Sequence, residues 1–251
     1  MSFNSPRILW QFLRRELVGL SDLCFPAVCP LCRQALNASS PFCSACLETI
    51  SPVASPHCMR CDLPFAAVDG GDHLCQSCLQ DPPVFLWAKS VGLFEGSLRR
   101  AVLKFKYEGD FNLDRPLAAL MKAAILEPQG NFSPDLLLPV PLYITRLRQR
   151  SYNQALLLAR ALGRSWQVPV ASRLLLRVRS TPPQIGLKAA QRRRNLRGAF
   201  CLSRPLQGER VLLIDDVMTT GATARECART LLDGGAGEVA VAILARARLH
   251  G

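Results

Sequence analysis

The stretch Val211-Leu212-Leu213-Ile214-Asp215-Asp216-Val217-Met218-Thr219-Thr220-Gly221-Ala222-Thr223 decides how this chain folds. Residues 211–214 are apolar without alternation, which suits a strand buried on both faces of a parallel sheet. Two carboxylates, Asp215 and Asp216, follow where such a strand is expected to end. Small residues, Thr219, Thr220, Gly221, Ala222 and Thr223, then open a helix that runs to about Asp233. In open α/β sheets ligands bind beyond the carboxyl ends of the strands. A helix N-terminus with unpaired N–H groups and a glycine is a ready cradle for phosphate, and carboxylates accept hydrogen bonds from sugar hydroxyls. Paired acids beside such a loop describe a site for a ribose 5-phosphate.

The surrounding chain has 251 residues, enough to bury a substantial core in one large or two modest domains. No stretch is long and apolar enough for a transmembrane segment. The first twenty residues carry an apolar stripe (Ile8, Leu9, Phe12, Leu13, Leu17) interrupted by Arg14, Arg15 and Glu16. With no small-residue cleavage site, they read as a short amphipathic helix over residues 1–23, packed on the body, rather than a secretion signal. A cytoplasmic location follows as the expectation.

Charge is unevenly placed. Residues 1–85 hold five basic and seven acidic side chains, a net of −2, whereas residues 86–251 hold 26 basic and 12 acidic, a net of +14. Between Asp135 and Glu209 there is no acid, and every basic side chain but Lys188 is arginine. A solvated face normally mixes signs, so this belt implies a polyanionic partner, either the pyrophosphate of a small substrate or nucleic acid. Arginine favours bidentate phosphate contacts in both cases.

The cysteines divide the chain at the same place, with nine of the eleven in residues 24–78. Cys29-x2-Cys32 is followed by Cys43-x2-Cys46, and Cys58-x2-Cys61 by Cys75-x2-Cys78. Each quartet has the spacing of a closed four-cysteine zinc site, which leaves no open coordination position for catalysis. A disulfide framework would need an oxidising compartment. The ribbon over residues 24–80 is therefore expected to be structural or a docking surface. Chelation should unfold it and leave the C-terminal sheet.

Past a proline-bearing connection at residues 80–84, strands and helices alternate. Strands are expected at 90–94, 135–140, 174–178, 210–214 and 238–244. Helices are expected at 98–107, 113–126, 152–164, 188–196 and 222–233. This order implies an α/β fold with a mostly parallel sheet over residues 85–251.

Two further constellations lie in the acid-free belt. Pro139-Val140-Pro141-Leu142 precedes Arg146, Arg148, Arg150, Ser151, Tyr152, Asn153 and Gln154. Thr181-Pro182-Pro183-Gln184 precedes Arg192-Arg193-Arg194-Asn195-Leu196-Arg197-Gly198-Ala199-Phe200. The Asp-Asp and Thr-Thr-Gly-Ala-Thr run resembles the binding loop of type I phosphoribosyltransferases, enzymes that use phosphoribosyl pyrophosphate (PRPP). With the two cysteine quartets and these blocks in this order, residues 20–246 resemble the ComF/GntX family of competence protein F-like phosphoribosyltransferases. The family pattern has Arg-Gly-aromatic-Asn-Gln where this chain has Arg150-Ser151-Tyr152-Asn153-Gln154, which puts a serine where glycine would permit a positive φ.

The resemblance implies a type I phosphoribosyltransferase-like sheet flanked by helices and preceded by a double zinc ribbon holding two structural Zn2+. It implies that Asp215 and Asp216 hold the ribose hydroxyls and residues 219–223 the 5-phosphate. The turn after Val140 would lie at the pyrophosphate, with Mg2+ bridging pyrophosphate and sugar. Reaction at C1 would pass through an oxocarbenium-like state, so cations near the leaving group have a task. Arg146, Arg148, Arg150 and Arg192 are the candidates, with Lys104 and Lys106 next. No histidine or glutamate is evidently poised as a general base, so the alternative stays open. It is a non-catalytic PRPP-site scaffold that binds single-stranded DNA or competence-machinery proteins.

Overall fold

The computed structural model describes residues 27–36, 40–66, 70–126, 132–181 and 194–248. Four strands form one sheet: β1 (Ala88–Leu93), β2 (Leu136–Pro139), β5 (Arg210–Met218) and β6 (Glu238–Arg246). They lie in the order β1-β6-β5-β2, and every neighbouring pair is parallel. A separate antiparallel pair, β3 (Leu175–Arg177) with β4 (Phe200–Leu202), stands outside this sheet. The expected strand at 174–178 is therefore present, but as one member of this antiparallel pair.

Because side chains alternate along a strand, the apolar run of β5 serves two cores. Val211 and Leu213 join Val239, Val241 and Ile243 in one, and Leu212 and Ile214 join Ala240, Ala242 and Leu244 in the other. Helices α3 (Gly96–Leu103), α4 (Asp114–Leu126) and α6 (Gln154–Trp166) cover the second face. Helix α7 (Ala222–Asp233) covers the first through Ala224, Cys227, Ala228 and Leu231. Burial on both faces is why the strand needs no polar alternation.

The ribbon straddles the β1 edge. Its short helices, α1 (Ser44–Glu48) and α2 (Gln76–Gln80), each follow the third cysteine of a quartet. Cys29 and Cys46 pack into the core on the α3–α4–α6 face, while Cys58, Cys61, Cys75 and Cys78 pack into the core on the α7 face. The ribbon runs along the strand: Leu93 N donates at 2.8 Å to O of Ser51, between the quartets, and Ala88 N at 2.9 Å to O of Arg60, inside the second quartet. A Cβ at Gly92 would lie 2.4 Å from Ser51 O, so only glycine admits this approach.

Three elements differ from expectation. β5 does not stop at Ile214 but continues to Met218, because β6 runs on beside it and pairs Asp215 with Ile243, Val217 with Ala245 and Met218 with Arg246. The helix expected over 98–107 ends at Leu103 and becomes a π-helical turn, Lys104–Glu108. Helix α5 (Ile144–Arg150) occupies the arginine block after β2. The expected N-terminal helix lies outside the described residues, as do residues 188–193 of the expected 188–196 helix, of which 194–196 are helical. Among the described residues no helix is long and apolar enough to cross a membrane.

Candidate phosphoribosyl site and zinc centres

β5 delivers Asp215 and Asp216 in adjacent positions, so their side chains leave opposite faces of the strand. The two differ in surroundings. Asp216 meets Lys106, with Nζ 2.8 Å from Oδ1 and both side chains largely covered. Asp215 accepts the Asp216 backbone N–H at 2.9 Å. Burial, and then the Asp216 charge, push the Asp215 carboxyl from 3.8 up to about 7. Lys106 and Arg177 oppose that rise without cancelling it.

The loop beyond the acids has the features of an anion cradle. Gly221 takes φ 75 and serves as N-cap of α7, with no side chain capping the helix. The first-turn amides of a helix have no intrahelical partners, so they face whatever binds there. Thr220 Oγ1 is buried without a hydrogen-bond partner. A Cβ at Gly221 would fall 2.6 Å from Met218 Cε. Asp215, Thr219, Gly221 and Thr223 also line a cavity of about 30 Å³, room for roughly one water.

The Arg150–Gln154 block explains how Lys106 reaches Asp216. A π turn displaces the regular i−4 bonding pattern. Here the Tyr152 hydroxyl donates to Phe105 O and Gln154 Nε2 donates to Lys106 O at 3.5 Å. Gln154 is 1% exposed, and its amide oxygen accepts Arg150 Nη1 at 3.2 Å. Asn153 caps α6 by accepting Ala155 N at 3.0 Å and donates to Val140 O at 2.9 Å. Asn153 and Gln154 thus tie β2, α6 and the Lys106 turn together. Ser151 has φ 62, the left-handed backbone for which glycine is suited, so the conformation is kept while the residue differs.

The arginine candidates are spread around this centre. Arg146, Arg148 and Arg150 all lie on α5. Arg150 sits over the exposed Tyr107 ring at 5.1 Å. Arg192 lies outside the described residues. Sequence reasoning passed over Arg177, on β3. Its guanidinium is held over Phe200 at 5.5 Å and donates to Thr181 Oγ1 at 2.6 Å, while Nε is buried without a partner. Burial, and then the Arg146 charge, lower its proton affinity, and the Asp215 charge counters them. A cation inside the short apolar run 174–178 was the signal that could have found it.

The cysteines gather as their spacing demands. The four sulfurs of each quartet lie within 4.8 Å of one another. Contacts such as Cys32–Cys43 at 3.4 Å and Cys61–Cys75 at 3.7 Å approach the roughly 3.8 Å edge of a tetrahedron with ~2.3 Å Zn–S bonds. Hydrogen bonds from Cys61, Cys75 and Cys78 push the Cys58 thiol far down, and crowding by Cys58, Cys61 and Cys75 pushes Cys78 far up. A cation among the sulfurs would resolve that conflict, and both quartets fit structural zinc.

A double zinc ribbon domain model matches residues 20–81. Competence protein F of Haemophilus influenzae is 35% identical over 228 residues, spanning 87% of this chain and 96% of the relative. The DNA utilization protein YhgH of Salmonella typhimurium is 36% identical over 232 residues, spanning 89% and 99%. Competence protein ComFC of Bacillus subtilis is 27% identical over 212 residues, spanning 80% and 81%. Among solved structures, the glutamine PRPP amidotransferase of B. subtilis aligns with 57% of this chain and 30% of its own, at 21% identity and a TM-score of 0.38. The length and level of identity to the first two relatives leave one conclusion: the chain belongs to the competence protein F (ComF) family, and here joins a double zinc ribbon to a parallel α/β sheet.

Proposed function

We propose that the protein binds PRPP beyond the end of β5 and transfers its phosphoribosyl group with release of pyrophosphate. One observation carries this reading: two adjacent carboxylates lead into an uncapped, glycine-initiated helix N-terminus beside the orphaned Thr220 hydroxyl. In this assignment Asp215 and Asp216 accept hydrogen bonds from the ribose 2- and 3-hydroxyls. Thr219, Thr220, Gly221, Ala222 and Thr223 receive the 5-phosphate through backbone amides and hydroxyls. Lys106 holds Asp216 in place. Arg146, Arg150, Arg177 and Arg192 supply positive charge for the departing pyrophosphate. The carboxylates and phosphate oxygens are the hard donors that Mg2+ prefers, and Mg2+ bound with the substrate would neutralise leaving-group charge.

Calorimetry with PRPP and Mg2+ on zinc-replete protein tests the binding half, and pyrophosphate release in the presence of nucleobases tests transfer. Asp215→Asn with Asp216→Asn should abolish both. Wild-type protein that binds no PRPP would overturn the proposal.

A second reading rests on a different surface. Tyr107 and Phe111 are exposed, Phe111 packs edge-on to Tyr152 at 4.7 Å, and Arg150 lies over Tyr107. Exposed rings interleaved with cations are a stacking platform for single-stranded nucleic acid. The relatives' names refer to competence and DNA utilization. In that reading the PRPP site serves a scaffold that holds single-stranded DNA. Affinity for a single-stranded oligonucleotide should fall steeply with salt, and a flat response would exclude it.

A further inference from the structure

Two buried arginines join the second cysteine quartet to the two flanks of the phosphate loop, and neither was singled out by sequence. Arg246, the last residue of β6, is 1% exposed. Its Nε donates to Cys61 O at 3.0 Å, and Nη2 lies 3.9 Å from Cys61 Sγ. On its other side Nη1 donates to Met218 O at 2.9 Å, to Ala247 O at 3.0 Å and to Thr219 O. Arg225, in the first turn of α7, is 6% exposed. Its Nη2 lies 3.4 Å from Cys78 Sγ, and Nη1 donates to Asp81 O at 2.5 Å.

Electrostatics gives the Arg246 contacts their meaning, whereas Arg225 also pairs with Asp81 Oδ2 at 3.7 Å. A guanidinium buried this deeply needs a counter-charge. Among the described residues no carboxylate forms an ion pair with Arg246. Four thiolates on Zn2+ carry a net charge of −2, and the Cys61 sulfur and carbonyl face Arg246 directly. The peptide group then transmits the contact. In a planar trans peptide the carbonyl and the following N–H point in opposite directions. Drawing Met218 O and Thr219 O toward Arg246 therefore aims the N–H groups of Thr219 and Thr220 the other way, where an anion would be received. Arg225 fixes the start of α7 on the far side of the loop.

The first quartet makes no comparable connection among the described residues. Its Cys46 carbonyl accepts the Thr49 hydroxyl at 3.1 Å, and its Cys32 sulfur lies near Gln34 and Cys43.

We infer that the second quartet, with metal bound, sets the geometry of the phosphate loop through Arg246 and Arg225 as positioning residues, and that the first quartet does not. The consequence for ligand affinity rests on the PRPP reading above; the mechanical coupling does not.

The experiment compares wild-type protein with Cys32→Ser, Cys78→Ser and Arg225→Ala. It reads zinc content, hydrogen–deuterium exchange of residues 217–225 without ligand, and PRPP affinity with Mg2+ by calorimetry. Cys32→Ser should lose one zinc and change loop exchange and PRPP affinity by less than about twofold, as distant sites act independently. Cys78→Ser should lose one zinc, speed loop exchange about tenfold and weaken PRPP about tenfold, the scale of losing a charged hydrogen bond. Arg225→Ala should keep both zincs and still loosen the loop and weaken PRPP about fivefold, which keeps the test decisive if Cys78→Ser fails to fold. Equal loop exchange in wild type and Arg225→Ala would overturn the inference, as would equal loosening by Cys32→Ser and Cys78→Ser. If wild-type protein binds no PRPP, the functional reading fails while the exchange data still decide the coupling.

Discussion

Replacing Asp215 by asparagine should make the ligand-free protein more stable near neutral pH while abolishing the proposed PRPP binding. The carboxyl is pushed from 3.8 up to about 7 by burial and by the neighbouring Asp216 charge. About three units at roughly 1.36 kcal/mol each set a ceiling near 4 kcal/mol. Solvent still reaches the residue, so roughly 2 kcal/mol is expected after screening. The direction follows from proton linkage. A raised carboxyl favours the protonated form in the folded state, so its contribution is intact below the unfolded value of 3.8 and is lost as pH rises toward 7. Asparagine is never charged, and its carbonyl can still accept the Asp216 N–H, seen at 2.9 Å. The advantage of Asp215→Asn should therefore about double between roughly pH 5.5 and pH 8. Urea denaturation of zinc-replete wild-type and variant protein across that range measures it, since zinc loss at the acid end affects both alike. A variant less stable than wild type at pH 8, or a difference that does not change with pH, would refute the reasoning.

Gly221→Ala forces a side chain into a φ of 75 with its Cβ 2.6 Å from Met218 Cε. It should cost about 1–2 kcal/mol in denaturant unfolding and abolish PRPP binding in calorimetry. Ser151→Gly relieves a φ of 62 and should raise the unfolding free energy by about 0.5–1 kcal/mol, the left-handed penalty less the entropy of glycine. Tyr107→Ala should weaken an oligonucleotide complex by about 1–3 kcal/mol at constant salt slope. Arg148→Ala should instead flatten that slope by about 0.7 per lost phosphate contact. Stripping zinc with a strong chelator should lower the melting temperature of the sheet as well as unfold the ribbon, against the expectation from sequence that the sheet would be left intact, because both cores contain ribbon cysteines. Calorimetric scans that leave the sheet transition in place would contradict this.

The apolar run 211–214, the Gly221 loop and the two cysteine quartets were legible because each pattern has one economical physical solution. What escaped sequence reading depends on partners distant in the chain. Aspartates are poor strand residues, so Asp215 and Asp216 read as a strand end. The ladder from β6 overrides that preference as far as Met218. Lys104, Phe105, Lys106 and Tyr107 read as continuing helix, and the π turn is visible only with Tyr152 and Gln154 beside its carbonyls. The serine at 151 looked like a loss of backbone freedom, yet the left-handed conformation persists. Arg177 and Arg246 look like ordinary basic residues among apolar neighbours, and burial alone distinguishes them.

The position of the ribbon follows from two problems with a common solution. A parallel sheet leaves unpaired polar groups along its outer strands, an invitation to pair with other chains. The β2 edge is closed locally, where Leu137 N donates to Pro169 O and Leu137 O accepts Ala171 N. Among the described residues the β1 edge has no such neighbour within the sheet domain, and the ribbon supplies one through Ser51 and Arg60. A segment this small, for its part, cannot bury enough surface to fold on apolar contacts alone and relies on metal. Setting one quartet against each face of the sheet gives the ribbon apolar surroundings and gives β1 its cover. Among the described residues the second quartet, on the α7 face, is the one that Arg225 and Arg246 connect to the loop at the end of β5. That asymmetry separates a zinc site that holds the fold together from one that also shapes the proposed site.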